Sequence, residues 1–274
     1  MAGARDAPDI EGSRQETRMH FDSIHPLHPR PEDMHQMRAQ VAGLILEAGC
    51  QRVLDLPSGT GELTQILRNR GLDVVAADLF PEAFVATGGS CLRADLNGRL
   101  PFEDDQFDAV ACIEGIEHIE NPHLLAREAN RILRMGGRLY LTTPNVLSIR
   151  SRLSYLLRGY PNQFHYMIEV DAAAGAERPI AHINPIGFLE LRYTLSRWGF
   201  RVDRVTTNRL VRRSSLLYRL LLLLMLTRGR KSAATHPSVA GVRQALLSDA
   251  VLFGEHLIVG AVKTANRFGS PEID

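Results

Sequence analysis

Val53-Leu54-Asp55-Leu56-Pro57-Ser58-Gly59-Thr60-Gly61 is the stretch that decides the fold of this chain. Its apolar start predicts a buried strand, which ends in an acid and runs into a tight turn with two glycines. Because glycine has no Cβ, such a turn brings bare backbone against a ligand where the next helix begins. A second apolar run, at 74–77, ends in Asp78, the position where doubly wound folds place a carboxylate for a ribose diol. The two segments together predict a nucleoside site.

Downstream of this turn, apolar strands alternate with amphipathic helices, as a parallel sheet with crossover helices requires. The pattern predicts helices at 34–48, 63–70, 81–86 and 121–133. It predicts strands at 110–113 and 139–142, and a final strand pair at 200–205 and 256–262. The predicted fold class is therefore α/β.

Residues 53–144 resemble the class I S-adenosylmethionine (SAM)-dependent methyltransferases. Five segments match this family in order: 55–61, Asp78, 94–96, 107–110 and 131–141. The resemblance implies a Rossmann-like, doubly wound, mostly parallel sheet with an antiparallel edge strand. It also implies a helical lid insertion on the acceptor side of the sheet.

The same resemblance implies which residues contact SAM. They are Asp55, Pro57, Gly59 and Gly61 of the first motif, Asp78 and Leu79, Asp95 and Leu96, and Glu114 after the fourth strand. The dipeptide 57–58 departs from the family, which more often has a glycine and a small residue there, and it predicts a stiffer loop that keeps both glycines. The order Asp-x-x-x-Gly-x-Gly, instead of Gly-x-Gly-x-x-Gly, argues against a nucleotide-binding oxidoreductase.

A second group of reactive side chains follows the fourth strand, in Cys112-Ile113-Glu114-Gly115-Ile116-Glu117-His118. Open α/β sheets bind their ligands at this end of the strands. If a helical turn begins at Glu114, then Glu114, Glu117 and His118 project from one face at i, i+3 and i+4. Two carboxylates and an imidazole in one patch indicate a cation between them, and such ligands suit a hard or borderline divalent ion.

The Glu-x-x-Glu-His element, with His182 later in the chain, resembles two subfamilies of this fold. These are the ubiquinone-biosynthesis O-methyltransferases and the 3'-terminal 2'-O-methyltransferases of small RNAs, whose matching residues hold Mg²⁺ beside the acceptor hydroxyl. The resemblance implies a site for Mg²⁺, Mn²⁺ or Zn²⁺ made by Glu114, Glu117, His118 and His182. It implies catalytic roles for the last three of these. Two interpretations remain open if no metal binds. Glu117 and His118 are then solvated residues at the start of a helix, or His118 or His182 acts as a general base.

Methyl transfer needs an acceptor lone pair that is aligned with the sulfonium methyl group, and a route for the acceptor proton. A metal favours an oxygen acceptor, since it lowers the pKa of a hydroxyl. The sequence therefore favours O-methylation of a small or lipid-linked acceptor of the glycan, aromatic or quinol type. Two alternatives stay open: N- or C-methylation with a histidine base, and a catalytically idle SAM-binding assembly subunit.

The segment 142–152 leaves the fifth strand at the cleft. Asn145 and Ser148 either contact the acceptor or cap the next helix. Arg150 and Arg152 either bind an acidic group of the acceptor or face solvent. The segment is similar to one in bacterial relatives that methylate glycans or lipid-linked precursors, which favours acceptors of those kinds.

Length and composition predict one catalytic core with additions. We expect a flexible N-terminal arm at 1–35, the SAM-binding core at 36–145, an acceptor-side lid at 146–198, and edge strands with a Leu-rich helix insertion at 199–274. A net charge of +1 gives no field for nucleic acid, so no nucleic-acid partner is expected. The 3 scattered cysteines, without a Cys-x-x-Cys pair, predict buried thiols and a cytoplasmic setting.

The run 216–226 is almost entirely apolar and has basic residues on both sides. It is too short to span a bilayer, which needs about 20 apolar residues. It therefore predicts either an interfacial helix in peripheral contact with the inner membrane face, or a helix buried in the protein or in a homodimer partner.

Overall fold

One sheet of seven strands organises the part of the molecule that the structure describes. The computed structural model describes residues 31–164, 182–211 and 237–266. The strands are β1 (Arg52–Asp55), β2 (Asp73–Asp78), β3 (Cys91–Arg93), β4 (Phe107–Cys112), β5 (Leu133–Pro144), β6 (Phe200–Thr207) and β7 (His256–Lys263). The α-helices in the described ranges are α1 (Pro31–Glu47), α2 (Glu62–Arg68), α3 (Pro122–Ile132), α4 (Ile149–Arg158), α5 (Phe188–Arg197), α6 (Pro237–Leu246) and α7 (Asp249–Phe253).

The strand order β3-β2-β1-β4-β5-β7-β6 places β1 and β4 side by side in the middle of the sheet. Strands β1 to β5 pair in parallel, whereas β7 runs antiparallel to both of its neighbours. The predicted Rossmann-like, mostly parallel sheet with an antiparallel strand at one side is confirmed, and β7 is second from the edge. The strand order reverses between β1 and β4, where such sheets bind ligands outside the carboxyl ends of their strands.

Helices cover both faces of the sheet, because successive residues of a buried strand point to opposite faces. Val53 belongs to the apolar cluster that includes Met37 and Ile45 of α1. Its neighbour Leu54 belongs to the cluster on the other face, which includes Leu191 of α5. Each of these fully buried side chains stabilises the fold by about 1.5–3 kcal/mol. Burial on both faces therefore fixes β1, and with it the glycine turn that follows.

The predicted helices around the first motif are confirmed as α1, α2 and α3. The connection between β2 and β3 differs from its prediction, since only a 3-10 turn at Pro81–Ala83 forms where a helix at 81–86 is expected. Val85 donates its backbone N–H to the carbonyl of Thr60 (3.1 Å). The 3-10 bonds therefore end with Phe84, which donates its N–H to the carbonyl of Pro81 (3.2 Å), and the next N–H goes to the glycine turn and not to a continuing helix.

Three predicted features fall outside the described residues: most of the N-terminal arm, part of the lid at 165–181, and the Leu-rich run at 216–226. Among the helices in the described ranges, none has the length and apolar character to span a bilayer.

Candidate active site

The glycine turn joins β1 to α2 at the point where the strand order reverses. Gly59 and Gly61 have φ angles of 52° and 86°, in the left-handed region that favours glycine. The buried carboxylate of Asp55 accepts hydrogen bonds from the backbone N–H and the hydroxyl of Thr64 (3.1 and 2.6 Å). This pair of bonds ties the end of β1 to the first turn of α2, so the turn between them has a fixed shape.

The two glycines of the turn have different surroundings. A Cβ on Gly61 would lie 2.4 Å from the ring of Phe84, so this glycine is required by protein packing. A Cβ on Gly59 would meet no atom within 4 Å. The open space beside Gly59 is therefore where a ligand can approach the backbone.

Asp78 lies at the end of β2 beside this open space. One oxygen of its carboxylate accepts the backbone N–H of Gly59 (2.8 Å) and the other accepts that of Phe80 (2.9 Å). An ionised carboxylate accepts about four hydrogen bonds. Asp78 thus keeps acceptor capacity for two ribose hydroxyls while it orients the glycine turn.

The other predicted SAM residues surround the same crevice. A Cβ on Gly115 would lie 2.7 Å from Pro57 and 3.2 Å from Leu96, so the loops after β1, β3 and β4 converge there. Asp95 is exposed, and its carboxylate accepts the backbone N–H of its near neighbour Asn97 (2.8 Å). Leu79 is 41 % exposed next to Asp78. A glycine turn, a ribose-type carboxylate and apolar side chains together fit a nucleoside such as SAM.

Arg38 of α1 is a residue of this region that the sequence patterns did not single out. Its guanidinium contacts the carboxylate of Glu62, the residue that directly follows the glycine turn. Burial raises the pKa of Asp55, and the charge of Arg38 acts more weakly in the opposite direction. Arg38 is the one arginine in the helix ahead of the first motif, but its spacing along that helix does not show that it reaches the turn.

On the acceptor side, the structure brings Glu117, His118 and His182 together. One nitrogen of each ring and one oxygen of the carboxylate lie within 4.8 Å of one another. The imidazole ring centroids are 4.7 Å apart. Glu117 is fully buried, and neither of its carboxylate oxygens has a hydrogen-bond partner among the described residues.

Backbone contacts explain how His182 reaches this cluster from a distant part of the sequence. Ile183 and Asn184 both donate their N–H groups to the carbonyl of Glu117 (2.9 and 3.0 Å). The Nδ1 atom of His182 lies 3.0 Å from the carbonyl oxygen of Gln163. The segment after 182 is therefore docked on the turn that carries Glu117.

Glu114 is not on the same helical face as Glu117 and His118, in contrast to the expectation of a helical turn from this residue. Its φ is 48°, and the 3-10 turn begins only at Ile116. The carboxylate of Glu114 accepts the hydroxyl of Thr142 (2.8 Å), and its other oxygen lies 3.3 Å from Nε2 of His256. Glu114 thus lies outside the three-residue cluster in this structure.

His256 is a second residue of the site that the sequence patterns did not single out. It is buried at the start of β7, which the sequence identifies only as a strand. Antiparallel pairing sets His256 opposite Pro144 at the end of β5. The sequence signal for a site residue was its position at the end of a strand. Which strand β7 pairs with depends on the whole sheet, so the local sequence does not show that this residue reaches the site.

Burial and neighbouring charges both act on the pKa values of Glu114, Glu117 and His256, and the net direction differs between the two glutamates. Burial, reinforced by the charge of Glu114, raises the pKa of Glu117 well above its ordinary value. Burial also acts to raise the pKa of Glu114, but the His256 charge and hydrogen bonds outweigh it and hold that pKa low. Burial acts to lower the pKa of His256, and the Glu114 carboxylate more than reverses this.

The donor set of this cluster fits a divalent metal ion. One buried carboxylate without a hydrogen-bond donor and two imidazoles are a common ligand set for borderline ions such as Mn²⁺, Fe²⁺ or Zn²⁺, whereas Mg²⁺ prefers oxygen. The buried hydroxyl of Thr143 lies beside the Glu117 carboxylate and belongs to the same polar surroundings.

Three polar residues of the segment after β5, predicted as possible acceptor contacts, form hydrogen bonds within the protein: Asn145, Ser148 and Arg152. Ser148 caps α4 by accepting the N–H of Ser151 (3.1 Å), as one of the two sequence interpretations has it. The Nδ2 atom of Asn145 donates to three carbonyls at the end of α7. Arg152 donates to the carbonyl of Leu147 (2.8 Å), and Arg150 is exposed.

A surface groove of about 650 Å³ is lined by residues 99–103 and by Gln106, ahead of β4. It lies at the amino end of β4, whereas the glycine turn follows the carboxyl end of the parallel strand β1. The groove therefore lies at the opposite end of the parallel strands from the candidate site.

Comparison with known proteins agrees with this geometry. Residues 54–141 match the family described as a methyltransferase domain. The demethylmenaquinone methyltransferase of Mycobacterium tuberculosis is 36% identical over 137 residues, which are 47% of this chain and 58% of that protein. The ubiquinone biosynthesis O-methyltransferase of Xanthomonas oryzae pv. oryzae is 32% identical over 131 residues, 44% of this chain and 52% of that protein. The chain thus spans little more than half the length of the curated relatives that it matches.

A solved SAM-dependent methyltransferase from Archaeoglobus fulgidus has the same fold. It aligns with 82% of this chain and 94% of its own, with a TM-score of 0.51 at 18% identity. Residues 54–141 are therefore similar to the methyltransferase domain family, and they lie in a fold that the chain shares with this solved SAM-dependent methyltransferase.

Proposed function

We propose that this protein transfers the methyl group of SAM to a hydroxyl of a small or lipid-linked acceptor. The observation that carries the proposal is the arrangement at the strand-order reversal, where the open backbone at Gly59 and the carboxylate of Asp78 lie at the same end of the strands as the cluster of Glu117, His118 and His182. Glu117 is buried, and both histidines are partly exposed. A nucleoside site thus adjoins a site of proton-accepting groups. O-methylation needs both.

On the cofactor side, SAM supplies an electrophilic methyl group, so the protein has mainly to bind and align it. Asp78 binds the ribose hydroxyls, and the backbone at Gly59 allows the ligand to approach closely. Arg38 lies next to the start of α2, where its guanidinium can pair with the methionine carboxylate. Pro57 and Leu96 form the apolar wall for the adenosine.

On the acceptor side, Glu117, His118 and His182 would hold a divalent ion, while Glu114, the fourth residue of the predicted set, pairs with His256. When bound, such an ion would supply positive charge that lowers the pKa of an acceptor hydroxyl. If no ion binds, His118 or His182 takes the acceptor proton as a general base. That version also allows a nitrogen or carbon acceptor.

The class of acceptor follows from two observations. The two relatives described above are named for demethylmenaquinone and for ubiquinone biosynthesis, both of which concern quinones. In addition, α4 ends in three exposed apolar side chains, Tyr155, Leu156 and Leu157, and carries only basic charges. Both observations support an aromatic or quinol-type acceptor with a lipid tail, taken from a membrane surface that the protein contacts peripherally.

The cofactor part of the proposal is tested by the binding of S-adenosylhomocysteine (SAH), measured by thermal shift and calorimetry. We expect SAH to stabilise the protein and NAD to have no effect. Gly59→Ala and Gly71→Ala form a matched pair, since both glycines have positive φ and open space at the Cβ position. Each substitution costs about 1–2 kcal/mol of stability, but only Gly59→Ala lowers SAH affinity, by about tenfold or more. Stabilisation by NAD alone, or equal SAH affinities, would contradict the proposal.

The acceptor part is tested by incubating cell extract with isotope-labelled SAM and searching by mass spectrometry for a product with one labelled methyl group. We expect EDTA to abolish transfer and Glu117→Ala to have the same effect. Glu120→Ala is the matched control, since Glu120 is exposed three residues further on. Full transfer in EDTA and in Glu117→Ala leaves the general-base version. SAH binding without any labelled product supports the idle-subunit alternative.

A further inference from the structure

Glu114 is held from two sides by the ends of β5 and β7. Its backbone N–H donates to Oγ1 of Thr142 (2.9 Å), and the hydroxyl of Thr142 donates back to Oε1 of Glu114 (2.8 Å). These two bonds close a ring between the residue and β5. The second carboxylate oxygen faces Nε2 of His256 across 3.3 Å. Both oxygens of Glu114 therefore contact residues of the sheet, and the carboxylate also lies beside that of Glu117.

His256 is itself fixed by its surroundings. It has only 1 % of its surface exposed, and its backbone N–H donates to Oδ1 of Asn208 (3.1 Å). Neither ring nitrogen forms a hydrogen bond of standard geometry with a described residue, so the contact with Glu114 is the polar contact that the structure shows for this ring. A buried imidazole without such a contact would be costly.

The position of Glu114 determines the position of the whole acceptor-side cluster. The 3-10 turn Ile116–His118, which carries Glu117 and His118, starts two residues after it. The carbonyl of Glu117 in turn holds the backbone of Ile183 and Asn184, and thereby His182. A shift of Glu114 would therefore displace all three side chains of the cluster.

We propose that Thr142 and His256 are positioning residues: they hold Glu114 in place, and Glu114 in turn fixes the position of the Glu117–His118–His182 cluster. In this proposal Glu114 is not itself a metal ligand. This inference rests on the proposed function, in which the cluster binds the metal and the acceptor. Residues that orient metal ligands change metal affinity by about 10–100-fold when they are replaced. The effect is therefore measurable without any acceptor.

The test is a titration of the protein with Co²⁺ alone, followed by the visible absorption of the bound ion, whose spectrum reports its coordination geometry. His256→Leu removes the partner of Glu114 and is expected to weaken Co²⁺ binding by about tenfold or more and to alter the spectrum. His256→Gln offers an amide N–H to Glu114 and is expected to stay within about threefold of the unmodified protein. Thermal unfolding and SAH binding show that each variant is folded.

Two glutamate variants distinguish a positioning role of Glu114 from a role as metal ligand. Glu117→Gln removes the carboxylate of the cluster and is expected to abolish the Co²⁺ spectrum. Glu114→Gln keeps an acceptor for Thr142 and is expected to weaken Co²⁺ binding by no more than about tenfold. Complete loss in Glu114→Gln, or unchanged affinity and spectrum in His256→Leu, would overturn the inference while leaving the metal site intact. If the unmodified protein binds SAH but no Co²⁺, the metal part of the proposed function fails, and this inference fails with it.

Discussion

Asp55 lies at the end of β1 with its carboxyl group buried and hydrogen-bonded to Thr64. Burial raises its pKa to about 7, although the bonds from Thr64 act in the opposite direction. The unfolded chain has a lower pKa, about 3.9. Between these two values the native state keeps a proton that the unfolded state has lost, so stability falls as pH rises through this range.

We expect Asp55→Asn to remove this part of the pH dependence. Asparagine keeps an acceptor for Thr64 and does not ionise. In urea unfolding of the SAM-free protein, the unmodified chain should lose about 3 kcal/mol of stability relative to the variant from pH 5 to pH 8, out of a full effect on the order of 4 kcal/mol that begins near pH 3. Asp73→Asn is the control, because Asp73 is exposed at the start of β2. Parallel pH profiles of the unmodified protein and Asp55→Asn would contradict the expectation.

Single residues of the cofactor side were predictable because each one follows its own strand. Gly59 and Asp78 appear in the sequence directly after apolar runs, and parallel strands bring their carboxyl ends to one edge. Glu114 and His256 were not predictable as a pair. Their contact depends on the φ of 48° at Glu114 and on the register between β5 and β7, neither of which leaves a local signal in the sequence.

At the scale of elements, Asn145 connects the end of β5 to α7. Its Nδ2 atom donates to the carbonyls of Ala250, Val251 and Gly254 (3.1, 3.0 and 2.9 Å). Asn145→Ala leaves these buried acceptors without that donor, and we expect a loss on the order of 3 kcal/mol in the free energy of unfolding. Urea unfolding monitored by circular dichroism measures it.

Ser148→Ala is the matched comparison, since it removes one capping bond at the start of α4 from the same loop. Loss of an N-cap costs about 1 kcal/mol. The Ala substitution at Ser148 should therefore shift the urea midpoint by clearly less than that at Asn145. Equal shifts would mean that the bonds from Asn145 to α7 add nothing beyond an ordinary cap.

The elements that could be predicted are those whose own sequence decides them. Helix α3 begins at Pro122 with Asn121 as its cap, and both signals are visible in the sequence. The connection at 81–86 starts with the same kind of proline but forms no α-helix, because Val85 is bonded to the backbone of Thr60 in the glycine turn. A contact between separate elements overrides the local preference there.

At the scale of the whole molecule, the acceptor side of the site is built from distant parts of the chain. The β4 turn supplies Glu117 and His118, the segment before α5 supplies His182, and β7 supplies His256. The loop after α4 also reaches this site, because the ring of Phe164 packs at a tilt against that of His182, with the ring centroids 5.3 Å apart. Only a short stretch of chain therefore separates the surface residues of α4 from the proposed acceptor site.

The exposed end of α4 is the described surface best suited to a membrane. Tyr155, Leu156 and Leu157 are 61%, 78% and 79% exposed, and the helix carries arginines but no acidic residue. Apolar side chains beside basic ones favour the surface of an anionic bilayer. We expect the protein to sediment with anionic phospholipid vesicles and to release at high salt, since the electrostatic part of the attraction is screened.

The double variant Leu156→Glu/Leu157→Glu should lower partitioning into these vesicles by about tenfold or more, because it removes two apolar side chains and adds repulsion. Val85→Glu is the matched control, since Val85 is 76% exposed but lies in the β2–β3 connection. It should partition like the unmodified protein. If the unmodified protein stays in solution, or if both variants lose binding equally, α4 is not the contact surface, and a water-soluble acceptor replaces the lipid-linked one.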